Sequence, residues 1–224
     1  MATSNKRAKA GRRAGRPSGD DQDLRRRLLD AAIAQFARTG IAATSLRAIA
    51  TEAGVTPAML HYYFGDKARL QQALIDERLL PALAPLRTQL EHAGDDPAAL
   101  IEGFVRGIGE LVVHHPWLPP LWVREVLCEG GALRDVLFTQ AVPGVPQLLA
   151  QRFAAAQADG RLNAALDPRL LVVSLVGLTL FPAAGAPIWR RAFGAEELGA
   201  EVMLRHTLAL LGHGIGAAEP GETA

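Results

Sequence analysis

The chain reads as all-α: a small N-terminal unit of short helices, then a larger helical body. Three observations predict this. Of its residues 49% are apolar but only 5% aromatic, with Ala and Leu dominant and β-branched alternation scarce, a mix that favours helix over sheet. Apolar residues recur at three- and four-residue spacing over long stretches. Asp-Pro and Thr-Pro pairs stand where helices would start, and glycines where several would stop. A chain of 224 residues can bury one good core and a second small one.

Each element follows from local chemistry. Residues 1–19 hold Lys6, Arg7, Lys9, Arg12, Arg13 and Arg16 and no acid; this basic arm is expected to be disordered in isolation. A first helix starts near Leu24, buries Leu28, Ala32 and Phe36, and ends at Gly40. Ser45 caps a second helix with Leu46, Ile49, Ala50 and Ala53 inward, and Gly54 stops it in a turn suited to positive φ. Thr56 as N-cap and Pro57 at N1 open a third helix to about Phe64. Asp66 caps a fourth from Lys67, which Pro81 and Pro85 are expected to kink.

In the body, Asp96 and Pro97 open a helix to about His115. Pro116, Pro119 and Pro120 mark a joint before a helix over residues 121–128. Pro143 and Pro146 bend or split the stretch 133–158. Asp167 and Pro168 open an apolar helix over residues 169–181, from Arg169 to Phe181, stopped by Pro182, Gly185 and Pro187. A last helix covers 196–211, from Glu196 to Leu211. The expected partition is an arm at 1–19, a first domain at 20–78, a body at 79–214 and a flexible tail at 215–224.

Net charge is only +1, but it is unevenly placed. Residues 20–78 balance eight basic against eight acidic residues, while 79–224 hold ten basic and fifteen acidic. A basic arm on an acidic body points one end of the molecule at a polyanion. The single cysteine, Cys128, excludes an intramolecular disulfide and fits a reducing cytoplasm. The N-terminus lacks the apolar run of a secretory signal. Residues 170–189 carry no charge and could span a bilayer by length, but the prolines predict a helix too short to cross, so no membrane partner is expected.

Three short helices in about forty residues bury little alone and recur as helix-turn-helix domains. Ala50 is small where a partner helix crosses, Val55 plugs the corner, and Thr56-Pro57 starts the next helix abruptly. The N–H groups and partial positive charge at that start suit phosphates or base edges. Residues 24–74, above all TSLRAIATEAGVTPAMLHYYFGDKARL at 44–70, resemble the DNA-binding domain of the TetR family of transcriptional regulators. Apolar, glycine, aromatic and lysine positions stand in register. The rest of the chain is similar only in length and helical pattern, as the ligand-binding and dimerisation domain of that family usually is.

The resemblance implies roles for particular residues. Arg47 would reach bases or phosphates, since a guanidinium pairs bidentately with guanine. The hydroxyls of Ser45 and Thr56 would meet phosphates, or act as plain N-caps, or both. Pro57, Ala58, Met59 and His61 would lie on the recognition helix, with Met59 near a thymine methyl. His61 stands where many relatives carry tyrosine, and imidazole is shorter than phenol. Tyr62 would contact backbone phosphate through its hydroxyl, while Tyr63 and Phe64 pack inward. Lys67 would pair with phosphate, its plainer reading being a solvated lysine. Gly-Arg-Pro at 15–17 looks like a minor-groove hook, although a tail adding nonspecific affinity is the preferred reading.

The apolar helix at 169–181 would leave a monomer with an exposed face. Pairing it and the 196–211 helix with the same pair from a second chain gives a four-helix interface and a homodimer. Two recognition helices would then meet an imperfect palindrome in double-stranded DNA. Phe104, Trp117, Trp122 and Phe138 are candidates to line a pocket for a lipophilic small molecule, with Phe153 another aromatic of that region, and each is equally a candidate for the core. Arg124 and Glu125 flank Trp122 in an apolar helix; they must pair with charges, face solvent, or anchor a polar ligand group.

The expected function is a ligand-responsive regulator, a repressor by the family's habit, released from a palindromic operator by a small molecule. An all-α enzyme and a helical adaptor without DNA binding are the alternatives. The first needs a catalytic cluster, and no Ser/His/Asp or paired-carboxylate arrangement stands out. The second has no use for Arg47 and Lys67. No cofactor or metal site is expected, since the adjacent His114 and His115 point about 100° apart on a helix.

Overall fold

The computed structural model describes residues 19–214. The basic arm before Gly19, with its Gly-Arg-Pro element, and residues 215–224 lie outside the described residues. Every regular element among the described residues is helical.

The head comprises α1 (Gly19–Thr39), α2 (Leu46–Glu52), α3 (Pro57–Phe64) and α4 (Lys67–Leu74). The first helix starts ahead of Leu24, with Asp21 and Asp23 in its opening turns, where the helix dipole favours acids. Leu28, Leu29, Ala32 and Phe36 of α1 are fully buried. They form one core with Ile49 and Ala50 of α2, Leu60 and Phe64 of α3, and Leu70 and Leu74 of α4. Each such Leu or Phe contributes about 1.5–3 kcal/mol by burial. The expected caps are present. Ser45 Oγ accepts from Ala48 N at 3.1 Å, Thr56 Oγ1 from Met59 N at 3.4 Å, and Asp66 Oδ1 from Arg69 N at 2.8 Å. Gly54 turns the chain between α2 and α3 at φ 68°, a conformation that costs a side chain with a Cβ.

A π-helical turn, Ile75–Leu79, joins α4 to α5 (Leu80–His92). The irregularity expected at Pro81 and Pro85 therefore falls before them, and the helix runs on through both. Pro81 takes the first turn of α5, where a missing N–H costs nothing, and the wider turn ahead of it absorbs the change of register. Ion pairs Arg25–Glu77 at 2.5 Å and Arg78–Asp30 at 3.0 Å fasten this turn to α1.

The body continues with α6 (Pro97–His114), capped by Asp96 Oδ2 on Ala99 N at 2.8 Å. Next come α7 (Leu118–Trp122), a π-helical turn Val123–Leu127, α8 (Arg134–Val136) and another π-helical turn, Leu137–Ala141. Pro119 and Pro120 do not separate a joint from a helix; they sit inside the first turn of α7. The split expected between 133 and 158 occurs at Gly144, in the left-handed region, before α9 (Val145–Ala158). The chain ends in α10 (Pro168–Phe193) and α11 (Ala200–Gly214). Helix α6 is central and packs against α5, α9, α10 and α11.

Helix α10 corrects the expectation that Phe181 ends it. It spans 26 residues with Pro182 and Pro187 inside. Pro182 has no N–H for the Leu178 carbonyl four residues back, and the Thr207 hydroxyl of α11 donates to that carbonyl at 3.4 Å instead. At this length α10 is long and apolar enough to cross a membrane by composition, so the proline argument against a span fails. One face nevertheless belongs to the core, with Leu171, Leu175 and Leu180 buried. The last helix starts at Ala200 rather than Glu196, because Gly194 closes α10 in the left-handed region and a short turn follows.

Candidate nucleic-acid interface and internal cavity

The caps of α2 and α3 and the short turn between them push one set of side chains outward. Ser45, Arg47, Thr56, Pro57, Ala58, Met59, His61 and Tyr62 are all exposed, whereas Leu60 and Phe64 on the opposite side of α3 are buried. Tyr62 is the most exposed of the head's large apolar residues at 80%, its ring edge-on to Tyr63. Arg47 lines a shallow groove with Ser45, Thr51, Gln35 and Glu52. Glu52 would compete for it, but Arg38 hydrogen-bonds that carboxylate at 2.7 Å and holds it below the usual carboxylate range. Arg47 is left without an ion pair or side-chain hydrogen bond among the described residues.

Neighbouring side chains also make bonds within the head. The His61 Nδ1 bonds the Gly65 carbonyl at the end of its own helix, so its ring folds back along α3. Lys67 is half-buried, and its Nζ donates to the Ala42 carbonyl at 2.8 Å, tying α4 to the α1–α2 loop. An ammonium has further donors, so this bond leaves room for a phosphate. Phe64 is buried beneath the Arg25 guanidinium, 4.6 Å from the ring centre. Tyr63 is only half-buried; its hydroxyl donates to Asp21 Oδ1 at 2.7 Å, and that bond pushes the phenol pKa up.

The body encloses an apolar cavity of about 440 Å³ between α5, α6, α7, α9 and α10, within the range of small-molecule sites. Phe104, Trp122 and Phe138 line it, as the sequence suggested. Trp117 does not; it packs edge-on to His115, ring centres 5.4 Å apart. Phe153 is fully buried core. Leu127, Phe138 and Val173 both line the cavity and are exposed, which marks its mouth. Arg87 is the one charged lining residue among those described.

Arg124 does not reach the cavity either. Its Nε donates to the Ala37 carbonyl at the end of α1, 3.1 Å away. Glu125, only 5% exposed, accepts from Ile41 N at 2.7 Å and from Ala132 N at 3.0 Å. The pair thus grips the corner between α1 and α2 through backbone groups of both signs. Gly131 permits this, since a Cβ there would lie 2.3 Å from the Glu125 carbonyl oxygen. Trp122, Val126 and Leu127 from the same stretch face the cavity, so the Val123–Leu127 turn touches the cavity on one side and the head on the other.

Comparison with known proteins places this arrangement. The family of bacterial regulatory proteins called the tetR family matches residues 28–74. The HTH-type transcriptional regulator RutR of Escherichia coli K12 is 30% identical over 81% of this chain and 83% of its own length. The chain belongs to the TetR family. The HTH-type transcriptional repressor SCO4008 of Streptomyces coelicolor is 29% identical over 50% of this chain and 55% of its own. In fold, this TetR-family chain resembles the ketosteroid transcriptional regulator KstR2 of Mycobacterium tuberculosis. The TM-score is 0.67, with 21% identity, over 90% of this chain and 99% of that one.

As a TetR-family transcriptional regulator, the chain keeps its family signal in the head. The residues that sequence reasoning missed lie in the body. Leu79 at the end of the π-helical turn and Leu83, Leu86 and Leu90 of α5 form a cavity-facing stripe, and Arg87 interrupts it. That break in a three-and-four pattern was the available signal.

Proposed function

We propose that this TetR-family regulator is a homodimer that represses from a palindromic operator and leaves the DNA when a lipophilic molecule enters the cavity. The observation that carries the reading is the exposed, cap-anchored face of α2 and α3, with Arg47 unengaged beside a Glu52 that Arg38 holds. Residues 20–78 act as the DNA-binding domain and 79–214 as the regulatory and dimerisation domain, without catalysis and in the cytoplasm. Arg47 and Met59 address bases, Ser45, Thr56, Tyr62 and Lys67 address phosphates, and Pro57 and Ala58 let the backbone approach closely. His61 contributes at most its outer ring nitrogen.

The dimer forms through α10 and α11. Leu170, Val173, Phe181 and Ile188 are exposed on α10 at spacings of one helical face, a stripe too apolar to leave to water. A second copy supplies the cover, which also accounts for a helix long and apolar enough to cross a membrane. Release works through the Val123–Leu127 turn. A ligand that displaces Trp122 or Val126 shifts the Arg124–Glu125 grip and with it the angle of the head, provided it binds the released state more tightly than the DNA-bound state.

Footprinting on the DNA flanking the chain's own gene tests this. The expected result is two symmetric protected half-sites in adjacent major grooves, centred about 34–36 Å apart or modestly deformed from that spacing. No sequence-specific protection at moderate salt contradicts the reading.

A further inference from the structure

We infer that the cavity selects an amphipathic anion, an apolar chain or ring system ending in a carboxylate or similar acid, and that Arg87 binds the acid. This deepens the proposed function and rests on the cavity being its effector site.

The cavity is lined almost wholly by aliphatic and aromatic side chains, so it recognises its occupant mainly by apolar area. Arg87 is the exception, on the inward stripe of α5 between Leu83 and Leu90. Its Nε is buried and has no hydrogen-bond partner, although the side chain as a whole is 38% exposed. Glu91 Oε1 lies 3.3 Å from that nitrogen, but out of line with the N–H. An Arg placed four residues before a Glu is the weaker order for a helix pair, so the pair alone gives little reason to hold a charge at an apolar wall. A buried N–H of a charged group without an acceptor is costly. A planar acid meets a guanidinium through two parallel bonds, and the exposed end of this side chain can offer them.

The site is also stiff. Arg152 donates to the carbonyls of Leu90 and Glu91 at 2.8 and 3.1 Å, which fixes the end of α5 that carries Arg87. The other described nitrogen in the same unpaired state, Arg190 Nε, stands outside the cavity. Arg124, the nearest charged alternative by sequence expectation, is committed to the head.

Calorimetric titration of the full-length protein with decanoate, decanol and decylamine tests the inference, each with wild type, Arg87→Met and Arg87→Lys. Wild type should bind decanoate about ten- to a hundredfold tighter than decanol, the worth of a hydrogen bond to a charged group, and decylamine least. Arg87→Met should lose that preference while keeping its decanol affinity, which also shows that the variant is folded; Arg87→Lys should keep part of it. Decanol or decylamine binding as tightly as decanoate overturns the inference, and so does a preference that survives Arg87→Met. The effector reading is scored separately. Arg87-dependent decanoate binding that leaves the footprint unchanged supports the anion site and removes ligand release, whereas a failure of all three ligands to bind overturns both.

Discussion

The head and the body of this regulator solve opposite problems. In the head the capping hydroxyls and carboxylates are bonded to helix N–H groups, Lys67 and Arg27 are tied to backbone carbonyls, and no lining residue of the cavity belongs to α1–α4. That makes a rigid reader, whose free polar groups point outward. In the body, chain that could have closed a core surrounds a cavity instead, and a guanidinium nitrogen is left without an acceptor in its wall. Rigidity suits a surface that must match DNA. Room and a charged side chain at the wall suit a site that waits for a molecule. The two meet at the Arg124–Glu125 grip, where side chains of the body hold backbone of the head.

The contrast breaks most readily at the proposed dimer face. Phe181→Glu places a charge on the exposed stripe of α10. It should give a monomer by sedimentation and lower operator affinity by about a hundredfold or more, because two linked heads act as one bivalent ligand. Next in size is Glu125→Ala. It strips the acceptor from Ile41 N and Ala132 N, and thermal or urea unfolding should show a loss of about 2–6 kcal/mol at roughly 1–3 kcal/mol per unsatisfied group. Glu125→Gln should lose less, since one carbonyl remains. Arg47→Ala should leave stability intact and cost about 1–3 kcal/mol of operator binding if the residue reads a base, or lower the salt slope by about one if it reads a phosphate.

The smallest effect concerns Glu52. Its carboxyl is held below the usual range by the Arg38 hydrogen bond, so the pair stabilises the fold above the ordinary carboxylate pKa. That contribution is lost as pH falls through the lowered value. Both groups are exposed, so Arg38→Ala should flatten the acid limb of a stability profile only slightly, and salt should hide the change.

The head was legible in the sequence because its rules are local. Ser45, Thr56-Pro57, Asp66 and Gly54 each act within four residues of themselves, and the caps and turn they predict are the ones observed. The body depends on contacts far apart in the chain. Pro182 fails to stop α10 because Thr207, in another helix, takes up the Leu178 carbonyl. Arg124 and Glu125 had three expected outcomes, a charged partner, solvent or a ligand; Arg124 is exposed to solvent, while the buried Glu125 took none of them. Their partners are backbone groups of residues 37, 41 and 132, and a backbone N–H or carbonyl leaves no mark in the amino-acid code. Arg87 was passed over because a charge within a leucine stripe shows its meaning only once that stripe is known to face a cavity.

The central claim is that the outward face of α2 and α3 reads DNA. Fluorescence anisotropy with a duplex from the region flanking the gene, over a salt series, tests it most directly for wild type and Arg47→Ala. The expected results are a complex with the flanking duplex that an unrelated duplex does not match, a steep loss of affinity with salt, and a weaker complex or shallower slope for the variant. Equal binding to both duplexes, or an Arg47→Ala protein unchanged in affinity and in slope, would contradict it.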